Sequence, residues 1–379
     1  FAPAEFQEVV LLLGKTLRVD ATLQVATIQQ AVTVVEEAPQ IDFSSTTIGH
    51  SVTSNELERL PKSRSFQGLL LTSPSVTSGL DQNGNIVSIE GGFQVNGSSS
   101  GENQFNIDGI STNSVVNGRS RQNATLEFVQ EVQVKTGGVE AEYGGAIGGV
   151  LSAVTKSGGN QFHGGAWYYL SGNKLGAGPI KRLLLDPATE RSASYVQDSK
   201  FPDNRNEAGG EIGGPFMKDR MWFYFATSPQ WRRREREYNF SSGKEHDTFK
   251  QKQLTQNTFG KLSFDPSSRI RTNFTFLWTP EMSTGRLPAY DGAGDAVVAS
   301  LASNVINKQI GYFNPKSSMS GEVNLTLSNR AVLTVRGGRF WDDFKDTGIP
   351  DIAAVEYRDR KSTRLNSSHV SESRMPSSA

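Results

Sequence analysis

Four groups of residues have the types that chemistry needs: the glycine pairs Gly144-Gly145 and Gly148-Gly149, the run Arg232-Arg233-Arg234-Glu235-Arg236-Glu237, the acidic pair Asp342-Asp343, and the histidines His50, His163, His246 and His369. Paired glycines resemble a phosphate-binding loop, but no βαβ pattern encloses them and no G-x-G-x-x-G is present, so the spacing favours a turn. The arginine run could hold an anionic substrate or the phosphates of a lipopolysaccharide; its alternating signs also suit a solvated loop or an inward-facing strand. A lone acidic pair at a strand end is more often solvated than metal-bound. The histidines are too dispersed to form a cluster, and no G-x-S-x-G elbow marks a nucleophile. No catalytic, metal or cofactor residue is therefore assigned, and the chain is not read as an enzyme.

The elements that would position these residues read as β. Between Glu140 and Gly165, Val150, Ser152 and Val154 alternate with Leu151, Ala153 and Thr155, and glycine pairs flank the run, which predicts a strand closed by tight turns in a backbone hairpin. The 38 glycines and the scarcity of leucine-rich helical runs extend that reading to the whole chain of 379 residues, which is long enough for two or three domains. Basic and acidic residues both number 39, so no net field recruits nucleic acid, and none is expected as a partner. The absence of cysteine excludes disulfides and thiolate metal sites. No apolar run is long enough for a membrane-spanning helix, a property that β-barrel membrane proteins share.

Along the chain, Leu17 to Val25 alternates as the last hairpin of a small β-sandwich, and Ala31-Val32-Thr33-Val34-Val35 forms a second apolar patch ended by Glu36, Glu37 and Pro39. Thr53 to Pro61 reads as a short capped helix and Ser65 to Leu71 as a second. Strands are predicted at Ile86 to Ile89, Phe93 to Asn96, Gln104 to Ile107 and Val129 to Thr136, with a turn at Asp108-Gly109. Beyond Gly159, Ile270, Thr272, Phe274, Phe276 and Trp278 share one face of a strand, and the segments around Val323 and Leu333 alternate likewise about a turn at Ser328-Asn329-Arg330. Such hairpins suit a soluble sandwich or an outer-membrane barrel; the long polar inserts 176–206 and 279–304 favour the barrel.

Taken in order, these segments resemble TonB-dependent outer-membrane receptors of the Oar-like group, which carry a carboxypeptidase-regulatory-like sandwich before the plug. The motifs are Glu56-Leu57-Glu58-Arg59-Leu60-Pro61 with Phe66 to Leu71, Asn103-Gln104-Phe105-Asn106-Ile107-Asp108-Gly109-Ile110, Phe128 to Val134, Ala141-Glu142-Tyr143-Gly144 to Gly158, Asn160 to Gly164 as a first barrel strand, and Asn206 to Phe216 as a later one. The resemblance implies a mainly β chain with a small α/β plug: residues 1–28 end the sandwich, 29–45 are a linker, 46–158 the plug, and 159–358 the first part of a transmembrane antiparallel barrel. Residues 359–379 resemble a translated sequencing adapter and are expected not to be native; the start at Phe1 is likewise read as a missing upstream segment.

In such receptors the barrel leaves no strand edge in lipid, the plug fills the lumen, and TonB, driven by the inner-membrane proton gradient, pulls on a segment ahead of the plug. Ala31, Val32, Thr33, Val34 and Val35 are the candidate TonB box, because an extended apolar stretch between domains can add as a strand to a partner's sheet; a strand of the sandwich is the competing reading. The resemblance implies as partners TonB with its inner-membrane energising complex, outer-membrane lipid and an unidentified imported nutrient. The alternative is a structural or adhesive surface protein on the same scaffold.

Overall fold

The computed structural model describes residues 4–6, 32–34 and 46–348 apart from 60–63, 79–91, 116–117, 142, 186–191, 198–199, 240–245, 288, 291–295, 298–307 and 329–330. The sequence readings at Leu17 to Val25, Ile86 to Ile89 and 359–379 lie outside the described residues. The chain divides into two units, Phe1–Lys156 and Ser157–Ala379.

In the first unit, β1 (Ala4–Phe6) and β2 (Val32–Val34) form a two-stranded parallel sheet. Next comes β3 (Ile48–Thr53), which leads into helix α1 (Ser54–Arg59). The helix starts where Thr53 donates its N–H and hydroxyl to the Glu56 carboxylate at 2.8 and 3.0 Å, the acidic half of a capping box. The second predicted helix is a 3₁₀ helix, Phe66–Thr72. Its buried Phe66, Leu69 and Leu70 face the core, and Pro74 directly after its cap stops further winding. A separate hairpin pairs β4 (Val76–Ser78) with β5 (Phe93–Val95).

The remaining strands of this unit are β6 (Gln104–Ile107), β7 (Ile110–Ser111), β8 (Val129–Gly137) and β9 (Val150–Thr155), in the order β3-β8-β9-β6-β7. The turn at Asp108-Gly109 has φ of +46° and +78°, the two positive values that a tight two-residue hairpin requires. Val129, Val132, Val134, Val150 and Leu151 are fully buried, so both faces of the central strands are covered and their sequences are nearly continuous apolar runs. The hairpin predicted around Val150 to Thr155 takes a different form. This strand pairs antiparallel with β8, upstream, and parallel with β6, not with the aromatic segment after it.

In the second unit the strand predicted from Asn160 begins later, as β10 (His163–Ser171). Asn160 instead holds a turn: its Oδ1 accepts from the Asp219 N–H at 2.9 Å and from Trp222 Nε1 at 2.7 Å. After a small hairpin of β11 (Arg182–Leu185) and β12 (Ala193–Val196) come β13 (Asp203–Met217), β14 (Met221–Thr227), β15 (Gln230–Asn239), β16 (His246–Thr255), β17 (Thr258–Ser267), β18 (Ile270–Trp278) and β19 (Glu281–Thr284). A second small hairpin, β20 (Ala289–Tyr290) with β21 (Ala296–Val297), precedes β22 (Gly311–Asn314), β23 (Lys316–Ser328), β24 (Ala331–Asp342) and β25 (Lys345–Thr347). Twelve of these strands form one antiparallel sheet.

Its register reveals longer units. Gly210 faces Thr227 and Glu207 faces Gln230 without any slip, so β14 and β15 are one strand interrupted at Ser228-Pro229. The same continuity joins β16 to β17, β18 to β19, β22 to β23 and β24 to β25. The interruptions align into a seam because Pro229, Pro280 and Pro315 have no N–H to give the ladder. The bonds running the other way persist, from Ala208 N–H to the Pro229 carbonyl at 3.2 Å and from Gln256 N–H to the Pro280 carbonyl at 2.9 Å. Both polar inserts are thus partly structured: 176–206 contains β11 and β12 and runs into β13, and 279–304 contains β19, a member of the main sheet.

Candidate functional site

Two faces of this sheet differ as a membrane barrel's must. Phe225, Trp231, Phe274, Phe276, Trp278 and Val335 stand on one face, all well exposed to solvent. The opposite face carries Ser228, Asn257, Thr275, Thr279 and Asn314 together with Tyr224, Phe249, Phe259 and Leu277, all buried. A soluble sandwich covers its aromatic side, whereas a continuous exposed aromatic face opposite one that holds most of the buried polar groups is the pattern of a barrel wall in lipid. Strand connections agree among the described residues, with short turns at 218–220 and 268–269 on one end and longer non-strand stretches, such as 172–181, on the other.

At the seam the polar face is closely bonded. The Ser228 hydroxyl donates to Glu207 at 2.7 Å and accepts from Trp167 Nε1 at 3.1 Å, while Asn257 Nδ2 donates to the Ser228 carbonyl at 3.1 Å. Farther along, Glu281 accepts from the Tyr312 hydroxyl and from Gln253, with Lys316 at 3.8 Å. Sequence reasoning missed these carboxylates, since each is a single polar residue on an alternating strand; pairing alone brings them together.

The arginine run forms β15, and Arg232, Arg234 and Arg236 share the polar face while Arg233 and Glu235 take the other. They border a cavity of about 630 Å³ at the long-loop end, together with Lys200, Asp203 and Arg205. Arg232 grips Asp203 through Nε and Nη2, at 2.8 and 2.5 Å. Arg234 donates to Gln251, while its Nε is buried without a hydrogen-bond partner. Of the loop and strand readings of this run, the strand is the one observed, with alternate residues, Arg232, Arg234 and Arg236, on the polar face. Asp342 and Asp343 sit exposed at the end of β24, and among the described residues no group of three or more acidic or histidine side chains could hold a metal.

In the first unit, the glycine pairs turn the chain into β9. Gly145 has φ of +84°, and a side chain at Gly148 would collide with Asn103 and Ser98. Asn103, itself buried, donates to the Phe93 carbonyl at 2.7 Å and accepts from the Gly149 N–H at 2.9 Å, fixing that approach. Asp108 accepts from the Thr155 N–H at 3.0 Å and hydroxyl at 2.6 Å, closing the far end of the same strand. Gly148 and Gly149 are thus packed against their neighbours as structural turn residues. Of the candidate TonB box, Val32, Thr33 and Val34 form β2, paired in parallel with Ala4, Glu5 and Phe6; Ala31 and Val35 lie outside the described residues.

Comparison with known proteins gives two family matches: residues 42–150 match the TonB-dependent receptor plug domain and residues 154–339 an outer membrane beta barrel domain. The TonB-dependent transporter Oar of Myxococcus xanthus is 32% identical over 242 residues, which are 62% of this chain and 21% of that protein. The fold is similar to that of the outer membrane transporter YddB from Escherichia coli, with a TM-score of 0.55 at 17% identity over 78% of this chain and 39% of the other. It is also similar to the siderophore receptor PirA from Acinetobacter baumannii, with a TM-score of 0.51 at 16% identity over 81% and 43% of the two chains. The chain thus spans about a fifth of the curated relative it matches. Neither family match extends to residues 1–28, where the carboxypeptidase-regulatory-like sandwich is expected.

Proposed function

The chain carries a TonB-dependent receptor plug domain followed by an outer membrane β-barrel domain, and from that premise we propose that the complete protein imports a nutrient across the outer membrane using the inner-membrane proton gradient. The plug and barrel domains in one chain are the observation that carries this reading. Their families are those of receptors and transporters rather than enzymes. TonB is the partner that supplies the work, and Ala31 to Val35 is the segment it takes hold of. Support comes from β2, which is extended and pairs with one strand among the described residues, leaving one edge for a strand from a partner. On the same reading, residues 1–28 close a sandwich, 29–45 link it to the plug at 46–158, 159–358 begin the barrel, and 359–379 are adapter-derived.

The test is retention of the soluble periplasmic part of TonB by the complete protein in detergent. Wild type retains it, and Thr33→Pro, which removes a ladder donor and fixes φ, loses it. Equal retention by both, or none by wild type, would refute energised import and leave a structural or adhesive surface role.

A further inference from the structure

We propose that the cavity at the long-loop end of β15 binds a small, multiply charged oxyanion bearing carboxylate or phosphate groups. Five cationic side chains (Lys200, Arg205, Arg232, Arg234 and Arg236) border it with the carboxylate of Asp203, while Glu235, also in its lining, sits on the opposite face of β15 and pairs with Lys250. Its volume of about 630 Å³ suits a ligand of small-molecule size.

The arrangement is costly without an anion. Arg205 faces Arg232 directly across the ladder, and like charges in opposed positions destabilise a sheet. Arg232, Arg234 and Arg236 then repeat on one face at every second residue, about 7 Å apart, placing three guanidinium groups within about 13 Å of strand length. Asp203 grips Arg232 through two hydrogen bonds and is also the carboxylate that faces Arg234 across the ladder. The hydrogen bond of Arg234 goes to the neutral Gln251, and its buried Nε lacks an acceptor. A buried donor on a charged group is expensive to leave unmade, and the planar fork of a guanidinium matches carboxylate and phosphate oxygens. Lys200 donates to the Gly176 carbonyl at 2.5 Å, which holds a cation at the rim without neutralising it.

The face decides between two sources of such oxygens. Arg232, Arg234 and Arg236 lie on the polar face with Tyr224 and Ser228, away from the exposed Phe225 and Trp231, so lipopolysaccharide phosphates on the lipid side are on the wrong side of the wall. Arg233 points to that lipid side and serves as the internal control. As a statement about cargo this rests on the import reading, but binding in detergent requires no energy source and no TonB, so the two fail separately.

The experiment is calorimetric titration of the complete protein in detergent with citrate, with inorganic pyrophosphate and with neutral maltotriose, on wild type, Arg234→Gln and Arg233→Gln. Folding of each variant is checked by heat-modified gel mobility. We expect citrate or pyrophosphate to bind with an affinity that falls as salt rises, Arg234→Gln to weaken it by about tenfold or more, and Arg233→Gln to leave it unchanged. Absence of binding by both anions overturns the proposal, as does equal binding of maltotriose or equal weakening by the two variants. Retained anion binding in Thr33→Pro together with loss of TonB retention supports both readings independently.

Discussion

Lys135 is 4% exposed, and its ammonium lies 2.7 Å from the Glu140 carboxylate and over the Tyr143 ring. Burial raises the Glu140 pKa, but the hydrogen bond and charge of Lys135, aided by Thr47, outweigh it and hold the carboxyl below its ordinary value. Because that pKa is depressed, the contribution is present above the unfolded value and fades as pH falls through the lower folded one. Glu140→Gln leaves the ammonium with a weaker partner; with the carboxylate itself half exposed, we expect a loss of about 1 kcal/mol, seen as several-fold faster hydrogen exchange of the β8 amides. His50 is shifted in the same direction, but by burial rather than by a charged partner. Burial lowers its pKa below 6.5 against the opposing charge of Glu56, and its ring contacts Thr72 at 3.1 Å. Its neutral form is favoured by folding, so protection of β3 should decline as pH falls below about 6.5 in wild type, after correction for intrinsic rates, and stay flatter in His50→Gln. Little of this was legible in the sequence, because Lys135 and Glu140 belong to no motif and meet only when the chain turns after β8.

Strands were the most legible elements. Ile270 to Trp278 and Gln104 to Ile107 appear with the bounds that alternation predicts, because their apolar periodicity matches the pleat. β19 was not legible: Pro280 reads as a breaker, yet its neighbours pair across the seam through other bonds. The seam makes a prediction of its own. Ser228 is fully buried and bonds Glu207 and Trp167, so Ser228→Ala should cost about 1–3 kcal/mol, read as a lower temperature of heat-modified mobility in the complete protein. The two faces make another. Phe274→Lys puts an ammonium on the lipid side and should cost about 2–4 kcal/mol of assembly, while Asn273→Lys on the polar side should be nearly neutral. Equal yields of folded barrel from both variants would count against the assignment of faces.

At the scale of the molecule, the large sheet is open among the described residues, with β10 bounding one margin and β24 with β25 the other. Relatives of this fold close at about 22 strands, so this chain expressed alone should aggregate through its unpaired edges rather than insert as a protease-resistant barrel. The order of motifs made the two matched domains legible, since each short motif is weak and only their sequence along the chain is specific. Cargo and coupling were not legible, because both depend on what faces the cavity and what seizes the N-terminal segment. The most direct measurement places a photo-crosslinking residue at position 33 of the complete protein in living cells. Energised import predicts an adduct with TonB that disappears when TonB is deleted; crosslinks confined to the protein itself, as expected of a strand that serves only its own fold, would contradict it.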